Sequence, residues 1–156
     1  MDFDIYVTID SDIVFSAQNL IDLIEATNVK DIVSGYYRMI DLKHFAIVKE
    51  WDINYFKQTG TFKYLTPDDM EQYKEQKFVN VSYCGMGFMA LTKNAIDSLN
   101  YPYFHTELQE FKGLDSKLIR EMCSEDVAFC RNLTKAGYDI NIIPSLRVGH
   151  EKHLII

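Results

Sequence analysis

The order of apolar runs and caps in this sequence predicts an α/β domain in which helices flank a sheet. Three observations carry that prediction. Strand-like and helix-like segments alternate along the chain, and the opening forms a strand–helix–strand unit of the kind that builds parallel sheets. No repeat, low-complexity tract or linker interrupts the 156 residues. A chain of that length buries about two thirds of its unfolded surface around one core, so residues 1–156 are expected to be a single domain.

The elements run in this order. "FDIYVTI" reads as a buried strand, and Ser16 then caps a helix over 17–27 whose apolar face is Leu20, Ile21 and Ile24. "DIVSGYYRMI" is the second strand, and "HFAIVKEWDI" with "GTFKYL" forms a hairpin or excursion. Thr66, Pro67, Asp68 and Asp69 give a hydroxyl cap, a proline at the first helical position and acids in the first turn. "FVNVSY" is a strand, "CGMGF" a glycine-punctuated bend, and "FMAL" a further strand before Thr92 caps a short helix. "YPYFHTEL" is extended and partly exposed. Ser124 caps the last helix, with Glu125 and Asp126 in its first turn, a stripe of Val127, Cys130, Leu133 and Ala136, and Gly137 as its stop. "YDINIIP" is the final strand.

Composition excludes several classes of function. The net charge is −7 and no Lys/Arg cluster occurs, so the electrostatic footprint of a nucleic-acid binder is missing, as is a basic membrane-binding face. Cys84, Cys123 and Cys130 are odd in number and lack CxxC spacing, which argues against a disulfide framework and a zinc site. Reduced thiols in a cytoplasmic protein are the expectation. No apolar run approaches the roughly 18 residues of a spanning helix, so no transmembrane segment is expected. The aromatic load of ten Tyr, ten Phe and one Trp is expected to fill the core, Trp51, Tyr36, Tyr37 and Tyr103 mostly included.

Asp10 and Asp12 end the first strand. Roughly three acid-x-acid triplets are expected by chance in a chain this rich in carboxylate, and four occur, so the triplet alone has little weight. Its position adds weight, because ligands of open α/β sheets bind at the carboxyl ends of strands. Two carboxylates there suit a hard divalent cation shared with a substrate's phosphates; a solvated strand end is the plainer reading. Glu125 and Asp126 oppose a helix dipole, yet a carboxylate fixed at a helix start is also well placed as a general base. His150, in "RVGHE", is either an imidazole ligand or a surface residue near the chain end.

Taken in order, "TIDSDIVF", "YCGMGFMALTKNAI", "YPYF", "CSEDVAFCRNLTKAGYDINIIP" and "RVGHE" resemble the catalytic half of GT-A nucleotide-sugar glycosyltransferases, especially family-2-like enzymes, over about residues 3–151. The resemblance implies a three-layer, mixed but mainly parallel sheet that lacks most of the N-terminal nucleotide-binding half, because the chain starts directly on the Asp-x-Asp strand. A homo-oligomer or a partner chain would supply the absent half. It also implies a metal-dependent, inverting transfer of a sugar from a nucleotide-diphospho-sugar donor to a carbohydrate or other hydroxyl acceptor. Asp10, Asp12 and His150 would hold Mn²⁺ or Mg²⁺ against the donor diphosphate. Asp126, paired with Glu125, would take the acceptor's proton, and Ser11 with Gly85, Met86 and Gly87 would lie against substrate.

Two rivals stand beside it. One is a catalytically inactive or fragmentary glycosyltransferase-like binding domain, since fold alone does not confer function. The other is a haloacid-dehalogenase-like phosphatase, whose opening strand and Asp-x-Asp motif would make Asp10 the nucleophile and Asp12 the acid/base. That family's late acidic motif has no counterpart in "AGYDINIIP".

Overall fold

A computed structural model of the chain describes residues 2–112 and 118–152. Its elements run β1 (Ile5–Ile9), β2 (Ile13–Val14), α1 (Ala17–Ala26), β3 (Ile32–Tyr36), β4 (Ile47–Val48), α2 (Ile53–Thr59), α3 (Pro67–Glu71), β5 (Val79–Val81), β6 (Tyr83–Cys84), β7 (Phe88–Thr92), α4 (Lys93–Asp97), β8 (Glu107–Lys112), β9 (Leu118–Cys123), α5 (Glu125–Lys135), β10 (Ile140–Arg147) and β11 (Gly149–His150). The class is α/β, with a mixed central sheet flanked by helices.

That sheet has five strands in the order β1-β7-β3-β10-β5. Only β3 and β10 pair in parallel; β1–β7, β7–β3 and β10–β5 are antiparallel. The expected mainly parallel sheet is therefore corrected. β1 and β3 do run in the same direction, as their strand–helix–strand link predicts, but β7 is inserted between them and pairs with both. Reading adjacent segments could not reveal a neighbour that arrives more than fifty positions later in the chain.

The sheet separates two apolar clusters. Along β3, Ile32 faces one and Val33 the other, and β7 alternates likewise, Met89 and Leu91 against Phe88 and Ala90. α1 covers one face through Leu23, which is fully buried, and Leu20. Ile21, expected on that face, is 47% exposed; the helix contacts the cluster through Leu20, Leu23 and Ala26 instead. α5 covers the opposite face with Val127, Phe129, Cys130 and Leu133, while Ala136 is exposed at the helix end, beyond the sheet.

Several caps lie where the sequence places them. Ser16 and Asn19 form a reciprocal capping box on α1, as do Thr66 and Asp69 on α3. Gly137 takes φ +94°, the left-handed conformation that ends α5. Thr92 occupies the cap of α4 without bonding its backbone, its hydroxyl donating instead to Asp31 at 2.9 Å. Two segments differ from expectation. The two ends of the 44–65 stretch do pair, the Phe45 amide donating to the Leu65 carbonyl at 2.8 Å and Val48 bridging Tyr64 antiparallel, but the unforeseen helix α2, capped by Asp52, lies between them and β4 also pairs with the distant β6. "YPYFHTEL" is a series of bends up to Phe104, and β8 then pairs with β9 in an antiparallel ribbon.

Tyr36 and Tyr37 are buried, as expected of core aromatics, whereas Trp51 and Tyr103 are half-buried at the edge of the core. Cys84, Cys123 and Cys130 are free thiols and all buried. No helix among the described residues is long and apolar enough to cross a membrane.

Candidate functional site

The carboxyl end of β1 turns sharply, with the Ile13 amide donating to the Asp10 carbonyl at 3.1 Å. This sends Asp10 and Asp12 in different directions. Asp12 meets the end of the chain: the Glu151 amide donates to its carbonyl at 2.8 Å, and β2 pairs with β11 beside it. His150 Nε2 then lies 3.4 Å from Asp12 Oδ2, and the Lys152 ammonium donates to the same oxygen. That donation is the chief reason the Asp12 carboxyl sits below its usual range; desolvation, the next cause, opposes it.

His150 is fixed through its other nitrogen. Nδ1 lies 2.7 Å from the Arg38 carbonyl, which can only accept, so Nδ1 carries a proton and Nε2 is the nitrogen turned toward Asp12. A carboxylate and an imidazole nitrogen turned toward one another are groups of the kind that ligate a cation, and the backbone carbonyl behind the ring is the support that ligating histidines ordinarily have. In the structure the Asp12 oxygen turned to His150 is taken by the Lys152 ammonium, which a divalent ion bound there would have to displace. Among the described residues no group of three His, Cys, Asp or Glu side chains converges on such a point, so the remaining positions would fall to substrate oxygens and water.

Asp10 lies against the Gly85–Gly87 bend and Tyr37. Its amide donates to the Gly87 carbonyl at 3.0 Å, and a Cβ added at Gly87 would lie 2.8 Å from Asp10 Oδ2 and 2.8 Å from the Tyr37 hydroxyl. A Cβ at Gly85 would lie 2.3 Å from that same hydroxyl. The two glycines thus close around Tyr37, whose oxygen accepts from the Gly87 amide at 3.1 Å. Burial pushes the Tyr37 hydroxyl well above its ordinary titration range, with the Asp10 charge adding to the effect. The Tyr37 ring also meets His150 edge-on at 4.8 Å. Met86 is half-buried, its carbonyl accepting from Thr8 Oγ1 at 2.5 Å, and Ser11 is exposed at the tip of the turn.

The second carboxylate cluster sits at the start of α5. Ser124, at the cap position, makes no bond to the helix backbone; its hydroxyl donates to Asp126 Oδ1. The Val127 amide donates to that oxygen too, at 2.9 Å, and the Tyr83 hydroxyl donates to Oδ2 at 2.7 Å. Asp126 is half-buried and held by three donors, whereas Glu125 is exposed. Burial is the main cause that raises the Tyr83 hydroxyl far above its usual range, and the Asp126 charge is the next.

One short segment runs between Asp126 and Asp10. Tyr83 carries the donor to Asp126, and Gly87, four residues on, abuts Asp10; four residues span at most about 14 Å. The structure thus brings Asp12 to His150, and Asp10 and Asp126 to opposite ends of Tyr83–Gly87. Tyr37, Tyr83 and Lys152 do not stand out as site residues in the sequence. Only Lys152 has a local signal, since two residues apart on an extended chain it shares a face with His150.

No family model and no curated protein matches the chain. Among solved structures it is similar to the crystal structure of A197 from STIV, at 13% identity and a TM-score of 0.48, with 99% of this chain and 69% of that chain covered. A likeness so distant carries no argument about function.

Proposed function

We propose that the chain is a metal-dependent glycosyltransferase that moves a sugar from a nucleotide-diphospho-sugar to an acceptor hydroxyl with inversion. The observation that carries this reading is that two differently built carboxylate clusters are linked by the Tyr83–Gly87 segment and Tyr37: Tyr83 bonds Asp126, Gly85 and Gly87 close on Tyr37, and the Tyr37 ring meets His150 beside Asp12. One holds a carboxylate, an imidazole and an ammonium at a strand end; the other holds a carboxylate on a helix start.

Asp12 and His150 would hold Mn²⁺ or Mg²⁺, which neutralises charge on the departing diphosphate. Lys152 adds a cation of the chain's own to the same place. Asp126 receives the acceptor proton as the acceptor oxygen bonds the anomeric carbon, while the bond from that carbon to the diphosphate oxygen breaks on the opposite side. A single displacement inverts the centre. Tyr83 and Ser124 orient the base, and Asp10 positions the Gly85–Gly87 bend. Glu125, exposed and outside this network, is left with helix-dipole stabilisation.

The test is thermal stability with Mn²⁺ plus each of UDP, GDP, CDP and dTDP, beside an Asp12→Ala variant. A ligand at a hundred times its dissociation constant stabilises by about 2.7 kcal/mol. Stabilisation that requires both metal and one nucleotide, and disappears in the variant, is the expected result. Indifference to every combination would sink the reading.

A further inference from the structure

Away from the Asp12 cluster, a cavity of about 880 Å³ opens between α2, α3 and the segment 49–52 that follows β4, within the range of about 300 to 1,000 Å³ typical of small-ligand sites. Its wall includes Trp51 and Tyr64, both half-buried. These two rings lie 6.2 and 6.3 Å from the ring of Tyr83, whose hydroxyl holds Asp126. The cavity therefore backs onto the Asp126 cluster through one tyrosine. Burial raises the Tyr64 hydroxyl above its ordinary range, and the Asp126 charge contributes, which agrees with that proximity.

The lining states what chemistry fits. Three lysines, Lys49, Lys63 and Lys112, are matched by three acids, Glu50, Asp52 and Asp69. A balanced set of charges gives no net field to attract a polyanion such as a nucleotide. Asn54 and Gln58 add amides that both donate and accept. Aromatic walls combined with many dispersed donors and acceptors suit a neutral ligand that has apolar faces and numerous hydroxyls.

We propose that this groove binds the non-reacting sugar units of a neutral oligosaccharide, and so serves as the anchoring part of the acceptor site. As an acceptor site it rests on the glycosyltransferase reading; as a saccharide site it stands on the groove alone. Anchoring remote units would place the reacting hydroxyl at Asp126 and assign part of the acceptor's binding energy to orientation.

Trp51 is the single tryptophan of the sequence, so its fluorescence reports the groove directly. The intact protein is titrated with trisaccharides of glucose, galactose, mannose and N-acetylglucosamine, and with a sulfated oligosaccharide as the anionic arm. The same titrations are run on a Gln58→Ala/Lys63→Ala variant, both changes being at exposed positions. A saturable change in emission with a neutral trisaccharide, weakened at least tenfold in the variant, is expected. A response to the sulfated sugar alone, no response to any sugar, or equal binding by the variant would overturn the proposal. Transfer assays separate the two readings. Saccharide binding without transfer from any donor leaves the groove standing and removes the glycosyltransferase reading. Transfer whose acceptor KM is unchanged in the variant removes the groove and leaves the enzyme.

Discussion

The Tyr83 hydroxyl donates to Asp126 Oδ2 at 2.7 Å and thereby ties β6 to the first turn of α5. The Cys130 thiol reinforces the junction, lying 3.4 Å from the Cys84 carbonyl. Through this pair the helix that carries the proposed base is registered against the strand that leads into the Gly85–Gly87 bend.

Asp126→Asn is expected to lower sugar transfer by about 10²- to 10⁴-fold, the usual contribution of a general base. Tyr83→Phe should cost about 1.5 to 3 kcal/mol of stability, the net value of a hydrogen bond to a charged group, and reduce transfer by less than Asp126→Asn. Single-turnover kinetics with both variants provide the check. Equal losses would mean that the tyrosine, and not the carboxylate, moves the proton.

Gly85→Ala and Gly87→Ala both drive a methyl into the buried Tyr37. The clash is worse at Gly85, where the hydroxyl would lie at 2.3 Å against 2.8 Å at Gly87. Overpacking of this kind costs about 1 to 3 kcal/mol, so urea denaturation should rank Gly85→Ala as the less stable. Tyr37→Phe added to Gly85→Ala removes the clashing oxygen and should restore part of the loss. No restoration would show that backbone strain, and not the hydroxyl, sets the cost.

Ser16 and Ser124 both precede helices, but only Ser16 caps one. Ser16→Ala is expected to destabilise by about 1 kcal/mol and leave transfer unchanged. Ser124→Ala should cost less stability and yet slow transfer, because its hydroxyl bonds the Asp126 carboxylate. Paired denaturation and activity measurements decide between these profiles, and a reversed pattern would reassign the two serines.

Asp41 provides a titration with a definite sign. His44 bonds its carboxylate through the ring at 2.7 Å and through the amide at 3.0 Å, and the Lys43 amide adds a third donor, holding the carboxyl down at about 2. Because the folded value lies below the ordinary value of about 3.9, the stabilisation is present above that value. It fades as the pH falls from about 4 to about 2. In a carboxyl-carbon NMR titration, His44→Ala should move the Asp41 midpoint upward. An unchanged midpoint would assign the depression to the backbone donors.

The elements legible in the sequence are those set by residues within a few positions of one another. The capping boxes of Ser16 with Asn19 and Thr66 with Asp69, the glycine stop at Gly137 and the buried stripe of α5 are local geometry. α2 is not legible in this way, because Trp51 and Ile53, on either side of Asp52, make its cap look like the end of a strand. The Asp12 and His150 pairing expected from the resemblance does form as a contact, whereas the turn after β1 carries Asp10 away to Gly87 and Tyr37.

By itself, then, the sequence determined the α/β class, the main caps and the positions of the carboxylates, because periodicity and capping act over three or four residues. Tertiary structure alone decided that β7 lies between β1 and β3, that Tyr83 holds Asp126 across 43 positions, and that Lys152 reaches Asp12 across 140. Such pairings depend on which apolar faces are buried together around the sheet, and no local window of sequence contains both partners.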